Sequence, residues 1–151
     1  MEISYRKPEL SELDQLCELN DYLFELSLEN FDHSLNKSWP GTQNHKEYFK
    51  QYFAEDNYLF VAYEGNIMVG YISGTAYDSE EYRNPMIIAE IENIMVLPDY
   101  QKKGIGKFFM EEFSKWAKTK NAQRLKVGVF SKNINAINYY KSLGFQDYDQ
   151  T

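Results

Sequence analysis

The sequence predicts an α/β fold in which short strands and amphipathic helices intermix along one domain, residues 1–151. Three observations predict it. The β-rich runs Tyr58–Tyr63 and Ile67–Ala76 are separated by Glu64-Gly65-Asn66, a hairpin signal. The apolar run Met86–Leu97 stops at Pro98, and a polar turn with Gly104 and Gly106 leads from it into an amphipathic helix. Over the whole chain the apolar period switches between that of strand and that of helix, in the order β-α-α-β-β-β-α-β-α-β.

Taken in order, Glu2–Arg6 is a short first strand. Pro8 stands near the start of a helical pattern in which Leu10, Leu13, Leu16, Cys17, Leu23, Phe24 and Leu28 fall near a 3.6-residue period through Glu29. Residues 31–44, with Pro40-Gly41 inside, form a polar loop, and a second helix runs from His45 to Ala54. The hairpin follows, then a charged loop over 78–85 and the long central strand Met86–Leu97. The helix Gly104–Lys120 turns Ile105, Phe108, Phe109, Phe113 and Trp116 to the core. Leu125, Val127 and Val129 alternate as a strand, and the last helix begins at Asn133 or Asn135 and ends at Leu143. Gln146–Thr151 suffices for one short polar strand.

Composition narrows the functions. Thirteen tyrosines and ten phenylalanines allow a sizeable core whose pockets are largely aromatic. No apolar run approaches the roughly 20 residues that cross a bilayer, and no basic-then-apolar leader pattern opens the chain. A single cysteine, Cys17, excludes an internal disulfide or a cysteine-rich metal site, and His33 and His45 lack metal-ligand spacing. A soluble cytoplasmic protein without a metal is the expectation. The net charge of −7 argues against general nucleic-acid binding. Residues 1–100 hold 6 basic and 19 acidic side chains, and residues 101–151 hold 10 and 4, so the sign changes at the Gln101 turn. A basic C-terminal part suits a polyanionic cofactor, and an acidic N-terminal part suits a cationic amine. Solvated faces alone would give the same pattern.

The turn Gln101-Lys102-Lys103-Gly104-Ile105-Gly106-Lys107 aims several backbone N–H groups at one point, which suits phosphate. It is not a Walker loop, because Gln101 stands where the first glycine belongs and Phe108 follows Lys107. Nor is it a Rossmann fingerprint, because Phe109 occupies the position that must be small. What remains, Gln-x-x-Gly-x-Gly after an apolar strand, resembles the acetyl-CoA signature of the GNAT family of N-acetyltransferases. Asn133-Ile134-Asn135-Ala136-Ile137-Asn138-Tyr139-Tyr140-Lys141-Ser142-Leu143-Gly144-Phe145 is similar to that family's second motif, Asn-x-x-Ala-x-x-Phe/Tyr-Tyr-x-x-x-Gly-Phe, at every stated position.

The resemblance implies the GNAT acyl-CoA N-acyltransferase fold: a central mixed β-sheet flanked by about four helices, here with a short C-terminal strand region. It also implies acetyl transfer from acetyl-CoA to a primary amine of a small molecule or peptide, by direct attack in a ternary complex. The alternative is a catalytically silent acyl-CoA-binding or sensor module. Backbone from Gln101 to Lys107 would wrap the pyrophosphate of coenzyme A, and the strand at Ile94, Met95 and Val96 would pair with the pantetheine arm. Asn133, as cofactor contact, helix N-cap or both, is implied at the same site with Ala136 and Tyr139. Glu90 and Glu92 lie two apart on a strand, hence on one face about 6–7 Å apart. Flanked by apolar residues, they are expected to be partly buried and to serve as general base, Glu92 being preferred and acting through a water. Read without the resemblance, both could be surface residues. Tyr140 matches the family's general-acid tyrosine, with a core tyrosine as the plain alternative. Trp39, Phe31, Tyr82, Glu80 and Glu81 lie in loops where the family builds its acceptor pocket. Family members commonly continue beyond the last helix for longer than Gln146–Thr151. Either the sheet is trimmed, or the chain ends early, or a neighbouring subunit covers the open edge, so a homodimer is an expectation too.

Overall fold

The computed structural model describes residues 2–149. A strand β1 (Ile3–Arg6) leads through a 3-10 turn at Leu10–Glu12 into helix α1 (Leu13–Asn30). Helix α2 (Gln43–Lys50) tightens into a second 3-10 turn at Gln51–Phe53. The strands β2 (Tyr58–Glu64), β3 (Ile67–Asp78) and β4 (Ile87–Val96) follow, then helix α3 (Ile105–Thr119), strand β5 (Arg124–Val127) and helix α4 (Ile134–Ser142).

The elements begin and end for local reasons. Thr42 caps α2 by accepting the His45 N–H at 3.2 Å, and Asn133 caps α4 by accepting the Ala136 N–H at 3.2 Å. Gly104, at φ +88°, takes the left-handed turn that lets β4 feed α3. On α3 the buried residues Ile105, Phe109, Met110, Phe113 and Ala117 form one stripe. Phe108 and Trp116, expected in that stripe, flank it half-buried.

The sheet runs in the order β1-β2-β3-β4-β5. Its first three pairings are antiparallel and the β4–β5 pairing is parallel, so the sheet is mixed, as expected. It divides the core in two. Leu16, Phe49, Tyr52 and Tyr71 pack between the sheet and α1 and α2. Ile72, Ile91, Phe109, Phe113 and Tyr140 pack on the opposite side, under α3 and α4. In β4 the register steps from Ser73↔Asn93 to Gly74↔Ile91, which leaves Glu92 as the extra residue of a bulge.

The expected tenth element is corrected here. Residues 146–149 form no strand, and positions 150 and 151 lie outside the described residues. This stretch finds side-chain partners where a strand would use its backbone: Phe145 packs edge-on against Tyr140 at 5.6 Å between centroids, Asp147 meets Lys141 at 3.4 Å, and the Tyr148 ring lies 5.3 Å from the Arg83 guanidinium. β5 also ends at Val127, short of the expected Val129.

A half-buried carboxylate ties the start of α1 to the sheet. Glu12 accepts from Arg6 at 2.7 and 3.2 Å, from the Tyr63 hydroxyl at 2.8 Å and from the Glu9 N–H at 3.0 Å. The Arg6 hydrogen bond, followed by those of Glu9 and Tyr63, overcomes burial and pulls the carboxyl from 4.5 down to about 2. A lowered folded-state value means that this stability is complete above pH 4.5 and is lost as pH falls from 4.5 toward 2. Arg6 is half-exposed, so solvent screening reduces the effect to roughly 2 kcal/mol. Urea denaturation of Glu12→Gln and the parent across that range is expected to show a gap of this size at pH 6 that closes by pH 2.

Candidate active site

The turn after β4 is built to leave donors free. Leu97 N–H bonds to Val69 O at 2.9 Å, which pins the strand end, and the Gln101 side chain donates back to Val96 O at 2.9 Å. Lys102 at φ +60° and Gly104 at φ +88° then coil the backbone. Among the described residues, no acceptor meets the N–H groups from Lys102 to Lys107. A Cβ on Gly104 would meet nothing within 4 Å, and one on Gly106 would meet only the Tyr139 hydroxyl at 3.9 Å. Open space, unpaired N–H groups, a helix start and the exposed Lys102, Lys103 and Lys107 suit a pyrophosphate. The donor set therefore fits the group that the sequence implied.

Beside the turn, β4 outruns its neighbour. Pairing with β5 stops at Ile91↔Val127, so Glu92–Val96 have no strand on that side among the described residues. Ile94 and Val96 lean toward the α3 core, and Met95 is buried toward α1 and α2. Their backbone edge is the one at which an extended ligand could pair.

Glu90 and Glu92 share a face, as expected, and the bulge adds Asn93 to it. Ser73, Thr75 and Tyr77 alternate onto that face from β3. Thr75 donates to Glu92 at 2.7 Å, Tyr77 donates to Glu90 at 2.6 Å, and the Asn93 amide donates to Ser73 Oγ at 3.0 Å. Burial and the Glu90 bond hold the Tyr77 hydroxyl above its ordinary value, so it remains a donor. The expected burial is corrected in part: Glu90 is half-buried, but Glu92 is exposed, because the bulge turns it outward from the apolar run. Tyr48, Tyr52, Ser73, Thr75, Tyr77 and Asn93 were absent from the sequence-based site. The Tyr48/Tyr52 spacing of four and the polar alternation of β3 were the signals that could have found them.

Helix α4 brings the second motif against the first. Asn133 is an N-cap, and the half-buried Ala136 follows it on the first turn. Tyr139 is 39% exposed and faces Gly106, whereas Tyr140 is 8% exposed and stacks edge-on with Tyr139 and Phe145. Burial, reinforced by Tyr139, pushes the Tyr140 hydroxyl up to about 12. That hydroxyl has no hydrogen-bond partner among the described residues. Its ring belongs to the core, and its hydroxyl is uncommitted among the described residues.

The loop residues divide. Phe31 stacks on Phe130 of the β5–α4 loop at 5.9 Å, and Trp39 packs inward against Phe24, His45 and Tyr48. Tyr82 is 80% exposed and Glu80 pairs with Arg83 at 2.8 Å, in the loop before β4 and remote from the turn after it. Cys17 is buried, and that burial raises its thiol to about 11, which leaves it inert. Among the described residues no group of His, Cys, Asp and Glu could hold a metal, and no helix is long and apolar enough to cross a membrane.

Comparisons with known proteins converge on this arrangement. The model of the acetyltransferase (GNAT) family matches residues 27–145. A mouse thialysine N-epsilon-acetyltransferase is 30% identical over 89 residues, covering 58% of this chain and 50% of that protein. The bovine protein of the same name is 32% identical over 85 residues, covering 56% and 48%. The chain thus spans about half the length of these relatives. Among solved structures, a BH1408 protein variant from Bacillus halodurans superposes with a TM-score of 0.86 at 16% identity, over 98% of this chain and 96% of that one. An aminoglycoside N-acetyltransferase in complex with CoA gives 0.76 at 17% identity, over 99% and 91%. At such identities the structural likeness is one of fold.

Proposed function

The chain belongs to the GNAT acetyltransferase family, and on that premise we propose that it transfers an acetyl group from acetyl-CoA to a primary amine of a small molecule or peptide, by direct attack in a ternary complex. The observation that carries this reading is that three features meet: the N–H groups of Lys102–Lys107 and the Tyr140 hydroxyl, all without a partner among the described residues, and the edge of β4 at Ile94–Val96, which no described strand covers and where Gln101 takes only the Val96 carbonyl.

Acetyl-CoA supplies the acyl group as a thioester. The N–H groups of the turn, with Lys102, Lys103 and Lys107, hold its pyrophosphate, and backbone at Ile94, Met95 and Val96 holds the pantetheine arm. Asn133, Ala136 and Tyr139 line the other side. An ammonium has no lone pair, so Glu92 takes its proton through a water, with Glu90 beside it on the same face. Tyr140, a phenol that is protonated at neutral pH and that burial raises further to about 12, gives its proton to the departing sulfur.

For the acceptor, the curated relatives named for thialysine support a small amine whose free end is an ε-type amino group. The net of −13 over residues 1–100, from 6 basic and 19 acidic side chains, favours a cation. The reading includes a homodimer that covers the outer edge of β5, which has a strand neighbour only in β4 among the described residues. Thiol release from acetyl-CoA, measured with thialysine, a linear diamine, an aminoglycoside and a peptide with a free N-terminus, is expected to exceed the amine-free rate for at least one acceptor. Tight coenzyme A binding with no turnover on any of them would replace the enzyme by a silent binding module.

A further inference from the structure

We propose that Tyr48 and Tyr52, with Asn93, are positioning residues that hold the Glu92 carboxylate for proton transfer, a role that rests on the reading of Glu92 as the base. The two tyrosines stand one helical turn apart, where α2 tightens into its 3-10 turn. The Tyr52 hydroxyl donates to the Tyr48 hydroxyl at 3.0 Å, and the Asn93 amide donates to the same oxygen at 3.0 Å. The second amide hydrogen of Asn93 meets Ser73 Oγ at 3.0 Å. Tyr52 and Ser73 are fully buried.

A sheet face packed under two helices is ordinarily filled with apolar side chains, because each buried hydroxyl must be paired or costs free energy. Here Leu16, Phe49 and Tyr71 already supply the packing. The polar cluster is placed beside Glu92 and not at random. The bulge puts Glu92 and Asn93 on one face at consecutive positions, so the chain of hydrogen bonds that starts at Tyr52 ends on the residue next to the carboxylate. Thr75 fixes one Glu92 oxygen from the other side at 2.7 Å.

The chemistry of these partners matters as much as their position. All are neutral groups, and Thr75 donates to the carboxylate directly. They can orient a carboxylate without neutralising it, whereas a lysine or arginine in their place would stabilise the anion and weaken it as a base. The Tyr52 hydroxyl is raised by burial first, then by its bond to Tyr48 and by the nearby Glu92, so it stays protonated. Among the described residues, the titratable groups near Glu92 include Glu90 on β4, Tyr77 on β3, and Tyr52 with its partner Tyr48 at the end of α2. Lys126 on β5 stands in register with Glu90.

The test is the pH profile of kcat/KM, with kcat and the KM for acetyl-CoA, for Tyr52→Phe, Tyr48→Phe and Glu92→Gln, using the fastest acceptor of the amine panel. Each Tyr→Phe change removes a hydroxyl and keeps the ring. We expect kcat to fall roughly 5- to 20-fold and the acidic limb to move from its parent position, because either change breaks the hydroxyl chain that fixes Asn93 beside the Glu92 carboxylate. The KM for acetyl-CoA should not change. Tyr48 is half-buried, so Tyr48→Phe serves if Tyr52→Phe fails to fold. If Glu92→Gln removes the acidic limb while both tyrosine variants keep the parent profile, the positioning role falls and the base stands. If Glu92→Gln retains the limb, or no amine turns over, the base assignment falls and takes the positioning role with it.

Discussion

Replacing Tyr140 by phenylalanine is expected to lower kcat by about 100-fold while leaving coenzyme A affinity within a factor of two, since a positioned general acid contributes about 10²- to 10⁴-fold. The substitution deletes one oxygen. The ring keeps its edge-on contacts with Tyr139 at 5.5 Å and Phe145 at 5.6 Å, so the core under α4 is retained. Because the hydroxyl has no partner among the described residues, its removal orphans no buried donor or acceptor. The thermal midpoint should therefore stay close to that of the parent. Stopped-flow thiol release gives kcat, and calorimetric titration with coenzyme A gives affinity. A variant with parental kcat would remove Tyr140 from the chemistry and leave it a core residue. A large fall in midpoint would show that the hydroxyl carries stability that its surroundings do not suggest.

How much of this was legible in the sequence follows from how local each requirement is. The Gln101–Gly106 turn could be read because its demands are met within a few residues: a strand that ends at a proline, a glycine at positive φ, and a helix start. The Asn133–Phe145 helix could be read for the same reason, since its cap and its tyrosines lie within three turns. The bulge at Glu92 could not. It exists because β3 pairs Ser73 with Asn93 and Gly74 with Ile91, a register set some twenty residues away. Strict alternation on β4 placed Glu90 and Glu92 on one face correctly, but it could not show that Glu92 turns outward or that Asn93 joins it. The hydroxyl partners are equally non-local: Thr75 is 17 positions from Glu92, and Tyr48 is 45 from Asn93. The expected C-terminal strand failed for a related reason. Asp147 and Tyr148 are taken by Lys141 and Arg83 side chains, contacts that a polar composition does not announce.

Gly74→Ala is the second large expectation, and it joins the fold to the site. An added Cβ would run into the Glu90 carbonyl oxygen and stand 2.5 Å from the Phe113 ring. The first neighbour is backbone of the central strand and the second is a fully buried ring at the centre of the α3 core. Neither can yield cheaply, because close-packed interiors transmit a displacement and do not absorb it. The cost is expected to be about 3 kcal/mol, read as a lower urea midpoint at unchanged slope. The glycine has a reason to be there. Position 74 is where β3 crosses the bulge, paired with Ile91 while Glu92 is squeezed out of register. The missing side chain lets α3 press Phe113 onto the sheet at the point where β4 must deform to present Glu92. If the variant refolds with a small loss of stability, its residual activity becomes informative: relaxation there must shift β4, and the acidic limb of the rate profile should move with it. A variant as stable and as active as the parent would mean that β4 can move away without disturbing Glu92, and the coupling of glycine, bulge and base would be wrong.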